Sequence, residues 1–201
     1  MLDWISGVIE ATGALGVALL MFAENVFPPI PSELIMPLAG YFASLGRVGL
    51  LWVFLGGAVG SVAGAWFWYE AGRRLGHDRV RALAERHGRW LTLTPSEVDR
   101  ARDWFQRNGQ IAVFLGRLLP GLRTLISIPA GVARMPRATF LAWTALGSAI
   151  WTAFLTGAGW VLGASFGEVD AWLDPVSSGI VALLLLVYVW RVATYGRRAG
   201  G

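Results

Sequence analysis

The chain has 201 residues, of which 55% are hydrophobic and only 15% are charged, and it contains no cysteine. Soluble domains are about 45–50% apolar and about 25% charged, so this composition excludes an ordinary soluble domain and indicates a multi-pass membrane protein. The net charge of +4 is concentrated in residues 73–107, where phospholipid head groups, and not nucleic acid, are the expected partners.

Long uncharged windows predict the membrane spans. A spanning helix needs about 20 apolar residues, and the windows at 48–69 and 138–167, of 22 and 30 residues, are long enough. The 16-residue window at 175–190 becomes long enough if Arg191 extends outward to the interface. Three crossings are therefore predicted. Four shorter windows fit re-entrant half-helices: 11–23, 34–46, 108–116 and 124–133.

Proline interrupts two of the apolar segments. Proline removes a backbone donor and clashes with the carbonyl four residues earlier, so neither segment is expected to cross as one helix. Irregular backbone at membrane depth is tolerated where protein buries it or where it lines a wet cavity. Each segment is therefore predicted to be a re-entrant hairpin, broken at Pro28, Pro29 and Pro31 in the first case and at Pro120 in the second.

Arginines predict the orientation of the spans. Six of them follow the first spanning helix, 48–72, so the positive-inside rule places its end in the cytoplasm. Arg134 and Arg137 precede the second spanning helix, 138–163, which is therefore predicted to run in the opposite direction. An Arg-rich segment at about 77–108 is expected to form amphipathic helices along the cytoplasmic surface.

One of these surface helices has a clear predicted start. Thr94-Pro95-Ser96-Glu97 is a capping-box sequence with proline at the first helical position. Asn108-Gly109 is the predicted end of the same helix.

The chain also contains an internal repeat. Residues 60–76 align with residues 147–163 at an offset of 87, with seven of 17 positions identical. Membrane transporters are often built from paired units of opposite orientation. Three residues of the first broken segment recur at an offset of 92: Pro28, Ser32 and Pro37 correspond to Pro120, Thr124 and Pro129.

The predicted fold is an all-α membrane protein forming a single membrane domain over 1–201. Repeat 1, about 8–76, and repeat 2, about 109–163, each consist of a proline-broken re-entrant hairpin followed by a transmembrane helix, and the two repeats are inverted. An extra transmembrane helix follows at about 175–195. The two hairpins are expected to enter from opposite faces and to meet near the midplane.

Glu24 and Glu33 flank the first proline break. Ionisable side chains at membrane depth are costly and usually functional, and burial favours the protonated form of a carboxyl group. Both residues are predicted to bind and release protons during transport. The alternative is that they lie in the outer head-group layer.

Arg117 and Arg123 flank the second proline break. Arginine stays charged at physiological pH, and its guanidinium group forms a planar fork that suits phosphate. Both residues, with Thr124 and the start of the half-helix beside it, are predicted to bind a phosphate group. The alternative is that the arginines extend to the cytoplasmic interface.

An enzyme is not predicted. His77 and His87 have no metal-ligand spacing, and no nucleophile triad, nucleotide loop or membrane phosphatase motif is visible. No metal or cofactor is expected.

The two broken segments carry a resemblance to a known family. Residues 24–33 (ENVFPPIPSE) and 114–124 (FLGRLLPGLRT) resemble the two signature stretches of the DedA family of bacterial inner-membrane proteins, which share a domain with eukaryotic lipid scramblases. The resemblance implies paired re-entrant hairpins, essential acidic residues at Glu24 and Glu33, and essential arginines at Arg117 and Arg123. Many members carry Gly-Asp where this chain has Ser-Glu.

The resemblance also implies the function. It points to proton-dependent translocation of undecaprenyl phosphate or of a phospholipid such as phosphatidylethanolamine across the bacterial inner (plasma) membrane. The expected partners are membrane lipids and protons, and a homo-oligomer is left open. Two alternatives remain: a proton-coupled antiporter for a small solute or ion, and a non-transporting membrane scaffold.

Overall fold

The computed structural model describes residues 2–27, 32–91, 94–119, 122–162, 186 and 189–194. All the regular elements in these ranges are α-helices, which confirms the all-α class for this part of the chain. Their bounds are α1 Leu2–Thr12, α2 Ala14–Val26, α3 Ser32–Ser44, α4 Leu50–Leu91, α5 Pro95–Leu118, α6 Leu122–Leu125, α7 Ser127–Val132 and α8 Arg137–Leu162.

Two groups of predicted features lie outside the described residues. The first is the C-terminal transmembrane helix, most of whose residues fall there. The second is the set of hairpin breaks themselves, Pro28, Pro29, Pro31 and Pro120.

Two of the described helices are long and apolar enough to cross a membrane. They are Leu50–His87, within α4, and Arg137–Leu162, which is α8, and they correspond to the first two predicted spans. Large apolar side chains cover their outer surfaces, among them Val59 and Val161, which are 64% and 76% exposed. Exposed apolar area of this kind fits contact with lipid.

The helix α4 bends where its apolar part ends. Gly76 takes a positive φ of 73° there, a backbone conformation that glycine adopts without steric cost. The Arg-rich segment continues from this bend as helix. The helical prediction for the first half of the Arg-rich segment is thus confirmed.

The start of α5 is as predicted, but its end is not. Thr94 Oγ1 accepts a hydrogen bond from the Glu97 N–H at 3.2 Å, and the Glu97 carboxylate accepts one from the Thr94 N–H at 2.9 Å. The predicted end at Asn108-Gly109 is wrong, because α5 continues to Leu118. Gly109 is buried, and packing overrides the helix-breaking preference of glycine, which costs only about 1 kcal/mol.

The shorter helices of the two proline-broken segments pack on α4 and α8 in the same pattern. The helix α2 packs along α4, and α5 packs along α8. The helices after the two proline breaks cross over, since α3 packs along α8 and α7 packs along α4. Each long helix therefore contacts helices from both proline-broken segments.

Glycine permits these close crossings. A Cβ atom at Gly72 would overlap the backbone of Ile128 in α7, and a Cβ atom at Gly159 would overlap the backbone of Pro37 in α3. Small residues allow helix backbones to approach in just this way in membranes. Gly60 has the same role, since it lies against the Ala18 backbone of α2.

The interior contains two apolar clusters with a polar centre between them. One cluster includes Val53 of α4 and Leu155 of α8, and the other includes Tyr69 and Phe140 of the same two helices. The Tyr69 and Phe140 rings stack with their centroids 4.2 Å apart. Between the clusters, both long helices present buried polar side chains.

Candidate functional site

The polar centre contains a buried ion pair. The carboxylate of Glu24, near the end of α2, contacts the guanidinium group of Arg123 in α6. Glu24 is only 5% exposed and Arg123 only 4%. The structure thus joins one predicted proton-binding residue directly to one predicted phosphate-binding residue, across the two proline-broken segments.

Arg117 lies beside this pair and is completely enclosed by protein. Its Nε donates to Ser148 Oγ at 3.1 Å, and its Nη1 donates to Arg123 O at 2.8 Å and to Asn25 Oδ1 at 3.3 Å. Its Nη2 donates to Ser61 O at 2.9 Å, with the Ser61 and Ser148 hydroxyls also in range. Arginine has five N–H groups, and all five have protein acceptors here.

Asn25 connects Arg117 to the ion pair. Its Nδ2 donates to Glu24 Oε2 at 3.0 Å and to Met21 O at 2.9 Å, while its Oδ1 accepts from Arg117. Trp68 Nε1 of α4 donates to the backbone carbonyl of Asn25 at 3.0 Å. The Asn25 side chain is therefore held on both sides, and it links the carboxylate of Glu24 to Arg117.

Sequence reasoning missed three of these polar residues. Asn25, Ser61 and Ser148 carry no charge, so nothing in their type marks them as unusual in a membrane chain. The repeat could have found them: Ser61 and Ser148 are 87 positions apart, and Asn25 and Arg117 are 92 positions apart. These are the two offsets at which the chain aligns with itself.

The remaining predicted residues lie around the centre. Thr124 follows Arg123 in α6 and is buried. Glu33 is half-buried in the first turn of α3, where the helix dipole favours a carboxylate. In the part of the chain that the structure describes, Glu33 forms no ion pair.

Besides Thr144 and Thr156 of α8, two buried hydroxyl groups lack hydrogen-bond partners among the described residues. They are Ser32 Oγ at the start of α3 and Ser127 Oγ at the start of α7, and both residues are fully buried. Buried polar groups are nearly always satisfied by protein, water or a ligand. The starts of α3 and α7 therefore each offer a donor that water or a ligand could use.

The charge balance of the buried centre favours an anion. Two guanidinium groups, those of Arg117 and Arg123, face one carboxylate, that of Glu24. Buried positive charge that is not fully compensated attracts negative ligands, more strongly in a medium of low dielectric constant than in water.

Comparison with known proteins agrees with this arrangement. The family model described as the VTT domain matches residues 30–161, which include α3 to α7 and all but the last residue of α8. The chain belongs to the VTT domain (DedA) family. The resemblance noted from the two signature stretches is thereby confirmed.

Several relatives within this family align over nearly the whole chain. An "alkaline phosphatase-like protein" of Lactococcus lactis subsp. cremoris is 37% identical over 94% of this chain and 89% of its own length. "Undecaprenyl phosphate transporter A" of Staphylococcus aureus is 33% identical over 96% of both chains. The Bacillus subtilis protein of the same name is 30% identical over 93% of this chain and 88% of its own. No solved structure matches the chain significantly.

Proposed function

We propose that this VTT-domain protein translocates a phosphate-bearing membrane lipid, undecaprenyl phosphate or a phospholipid such as phosphatidylethanolamine, in a proton-dependent manner. The observation that carries the proposal is the buried ion pair between Glu24 and Arg123. A proton can bind Glu24, and a phosphate group can bind Arg123. The names of the Staphylococcus and Bacillus relatives, which are called undecaprenyl phosphate transporters, support the choice of lipid.

The ion pair makes the two ligands depend on each other. Protonation of Glu24 removes its charge and leaves Arg123 as a buried cation without a counter-ion, which costs several kcal/mol. The negative charge of a bound phosphate oxygen would then compensate the positive charge of Arg123. Proton binding at Glu24 therefore favours phosphate binding at Arg123, and deprotonation favours release.

Arg123 and Arg117 have different parts in this mechanism. The guanidinium of Arg123 becomes available once Glu24 is neutral, and it can bind phosphate through two parallel hydrogen bonds. The hydroxyl of Thr124 follows it directly in α6. All the N–H groups of Arg117 are already used, so we assign it the task of holding the centre together, and it would bind phosphate only after rearrangement.

Alternating access would come from an inverted repeat. We propose that repeat 1 (about 8–76) and repeat 2 (about 109–163) are related by a two-fold axis in the membrane plane, each with a re-entrant hairpin. The exchange of half-helices, α3 onto α8 and α7 onto α4, supports this. The Arg-rich end of α4 and the start of α8 would face the cytoplasm of a bacterium with the protein in its inner (plasma) membrane.

We propose transport and not hydrolysis, although one relative is named alkaline phosphatase-like. Translocation moves the lipid with its phosphate ester intact. A phosphatase would instead release inorganic phosphate from a phosphate monoester such as undecaprenyl phosphate or p-nitrophenyl phosphate. Incubation of the purified protein with both compounds distinguishes the two activities.

Proteoliposomes test the proposal directly. Labelled undecaprenyl phosphate or phosphatidylethanolamine is placed in one leaflet, and its appearance in the other is followed with and without a proton gradient. Lipid movement that depends on the gradient supports the proposal. Proton-driven solute movement without lipid movement would identify an antiporter instead, and no movement of either would identify a scaffold.

A further inference from the structure

A second polar cleft lies away from the Glu24–Arg123 centre, at the Arg-rich end of the molecule. It has a volume of about 430 Å³ and lies between residues 105–111 of α5, the turn at 133–136 and Thr139 in the first turn of α8. None of the residues that line it belongs to the buried centre.

The cleft is lined by two arginines and by no carboxylate. Arg107 and Arg134 both line it, together with the amide side chains of Gln106, Asn108 and Gln110. The Nε of Arg107 donates to Asp103 O at 3.3 Å, which leaves both of its terminal nitrogens without a partner among the described residues. The Arg134 side chain has no ion pair or hydrogen bond with any described residue.

The backbone adds to the positive potential of the cleft. The helix α8 begins at Arg137, next to the cleft, and its first turn contains no acidic residue. Helix N-termini carry a partial positive charge and free N–H groups.

Arg134 is the one non-glycine residue of the described chain with a positive φ, 55°. This conformation costs roughly 1–2 kcal/mol in an arginine.

We propose that this cleft binds a phosphate group, with Arg107 and Arg134 as its charged ligands. Guanidinium groups without acidic partners, amide donors and a helix N-terminus together suit a phosphate monoester better than a neutral or cationic ligand. The phosphate could be the head group of a membrane lipid or a soluble phosphate compound. The proposal does not depend on transport, because the two sites share no residue.

Because the sequence has no cysteine, a single introduced cysteine can report occupancy of the cleft. Ile111→Cys places an exposed thiol at its edge without removing a polar group of the site, and the rate of maleimide labelling is measured in nanodiscs. Three conditions are compared: phosphatidylcholine alone, phosphatidylcholine with phosphatidic acid, and phosphatidylcholine with inorganic phosphate in solution. We expect phosphatidic acid, inorganic phosphate or both to slow labelling several-fold.

The arginines are then changed in the same background. Arg107→Gln and Arg134→Asn should each raise the amount of phosphate or phosphatidic acid needed for half-maximal protection by about tenfold or more, the effect of losing one charge-assisted hydrogen bond. Asparagine is chosen at 134 because it tolerates a positive φ. Arg102→Gln is the matched control, since Arg102 is an exposed arginine of α5 that does not line the cleft.

Each outcome decides the proposal. Protection by phosphatidic acid alone identifies a lipid head group as the ligand, protection by inorganic phosphate alone identifies a soluble phosphate, and protection by both shows a general phosphate site. The proposal is overturned if neither probe slows labelling, if protection survives the double change at Arg107 and Arg134, or if Arg102→Gln weakens it equally.

Discussion

Ser61 of α4 and Ser148 of α8 meet side chain to side chain, with their hydroxyl oxygens 3.4 Å apart, and Arg117 donates hydrogen bonds to both. The two serines occupy corresponding positions of the sequence repeat. Asn25 and Arg117, which also correspond, are joined by a hydrogen bond of 3.3 Å. Contacts between corresponding residues are expected on a two-fold axis, so both pairs support the proposed inverted repeat.

A double-mutant cycle should reveal the energetic coupling of Glu24 and Arg123. Either Glu24→Gln or Arg123→Gln alone leaves one charge buried without its partner, and the expected loss of stability is about 3–5 kcal/mol. The double variant should lose much less than the sum of the two. Thermal unfolding in detergent and denaturant titration measure the effect, and additive losses would show that the pair does not interact.

Some features of the fold can be predicted from the sequence, and others cannot. The all-α class, the two spanning helices and the capping box at Thr94 follow from local pattern, because apolar length and cap chemistry act over a few residues. The end of α5 does not, since burial of Gly109 outweighs the local turn signal of Asn108-Gly109. Local signals carry no information about such packing.

The residues of the candidate site also differ in how readily the sequence reveals them. Charged residues in an apolar chain stand out, so Glu24 and Arg123 could be selected in advance. The polar residues that surround Arg117 do not stand out by their type, because a serine or asparagine in a membrane helix more often only bonds its own backbone. Their importance arises from the meeting of α2, α4 and α8, which the repeat offset encodes but composition does not.

Lysine substitutions should separate the parts of the two arginines. Arg117→Lys has three donors in place of five and cannot satisfy all five acceptor atoms that surround Arg117, so it should lower stability by several kcal/mol. Arg123→Lys keeps the charge opposite Glu24 and should remain near wild-type stability. It should nevertheless lose most lipid transport, because lysine lacks the planar fork.

The measurements are unfolding midpoints and proteoliposome transport for both lysine variants. Full transport by Arg123→Lys would show that charge alone is sufficient at that position. A stable Arg117→Lys variant would remove Arg117 from the structural part assigned to it.

Glycine substitutions test the crossing of α3 and α8. A methyl group at Gly159 would overlap the Pro37 backbone, whereas one at Gly157 meets nothing within 4 Å. Gly159→Ala should destabilise the protein by about 1–3 kcal/mol through overpacking. Gly157→Ala, in the same helix, should be neutral or stabilising by up to about 1 kcal/mol. Equal effects in unfolding experiments would contradict this helix contact.

Cysteine labelling tests the proposed orientation of α4. Leu45 and Ala82 are exposed residues on opposite sides of its apolar part. Leu45→Cys should react with an impermeant maleimide added to intact cells, and Ala82→Cys only after the membrane is opened. Reaction of Ala82→Cys in intact cells would reverse the topology.

The central claim is that a proton on Glu24 and a phosphate on Arg123 depend on each other, and lipid affinity tests it most directly. Binding of undecaprenyl phosphate is measured in nanodiscs at pH 8, where its phosphate is fully ionised, for the native protein and for Glu24→Gln. Glutamine imitates the protonated carboxyl group permanently. The account predicts that Glu24→Gln binds the lipid at least about tenfold more tightly, the equivalent of about 1.4 kcal/mol, while failing to transport it. Equal or weaker binding by Glu24→Gln would contradict the account.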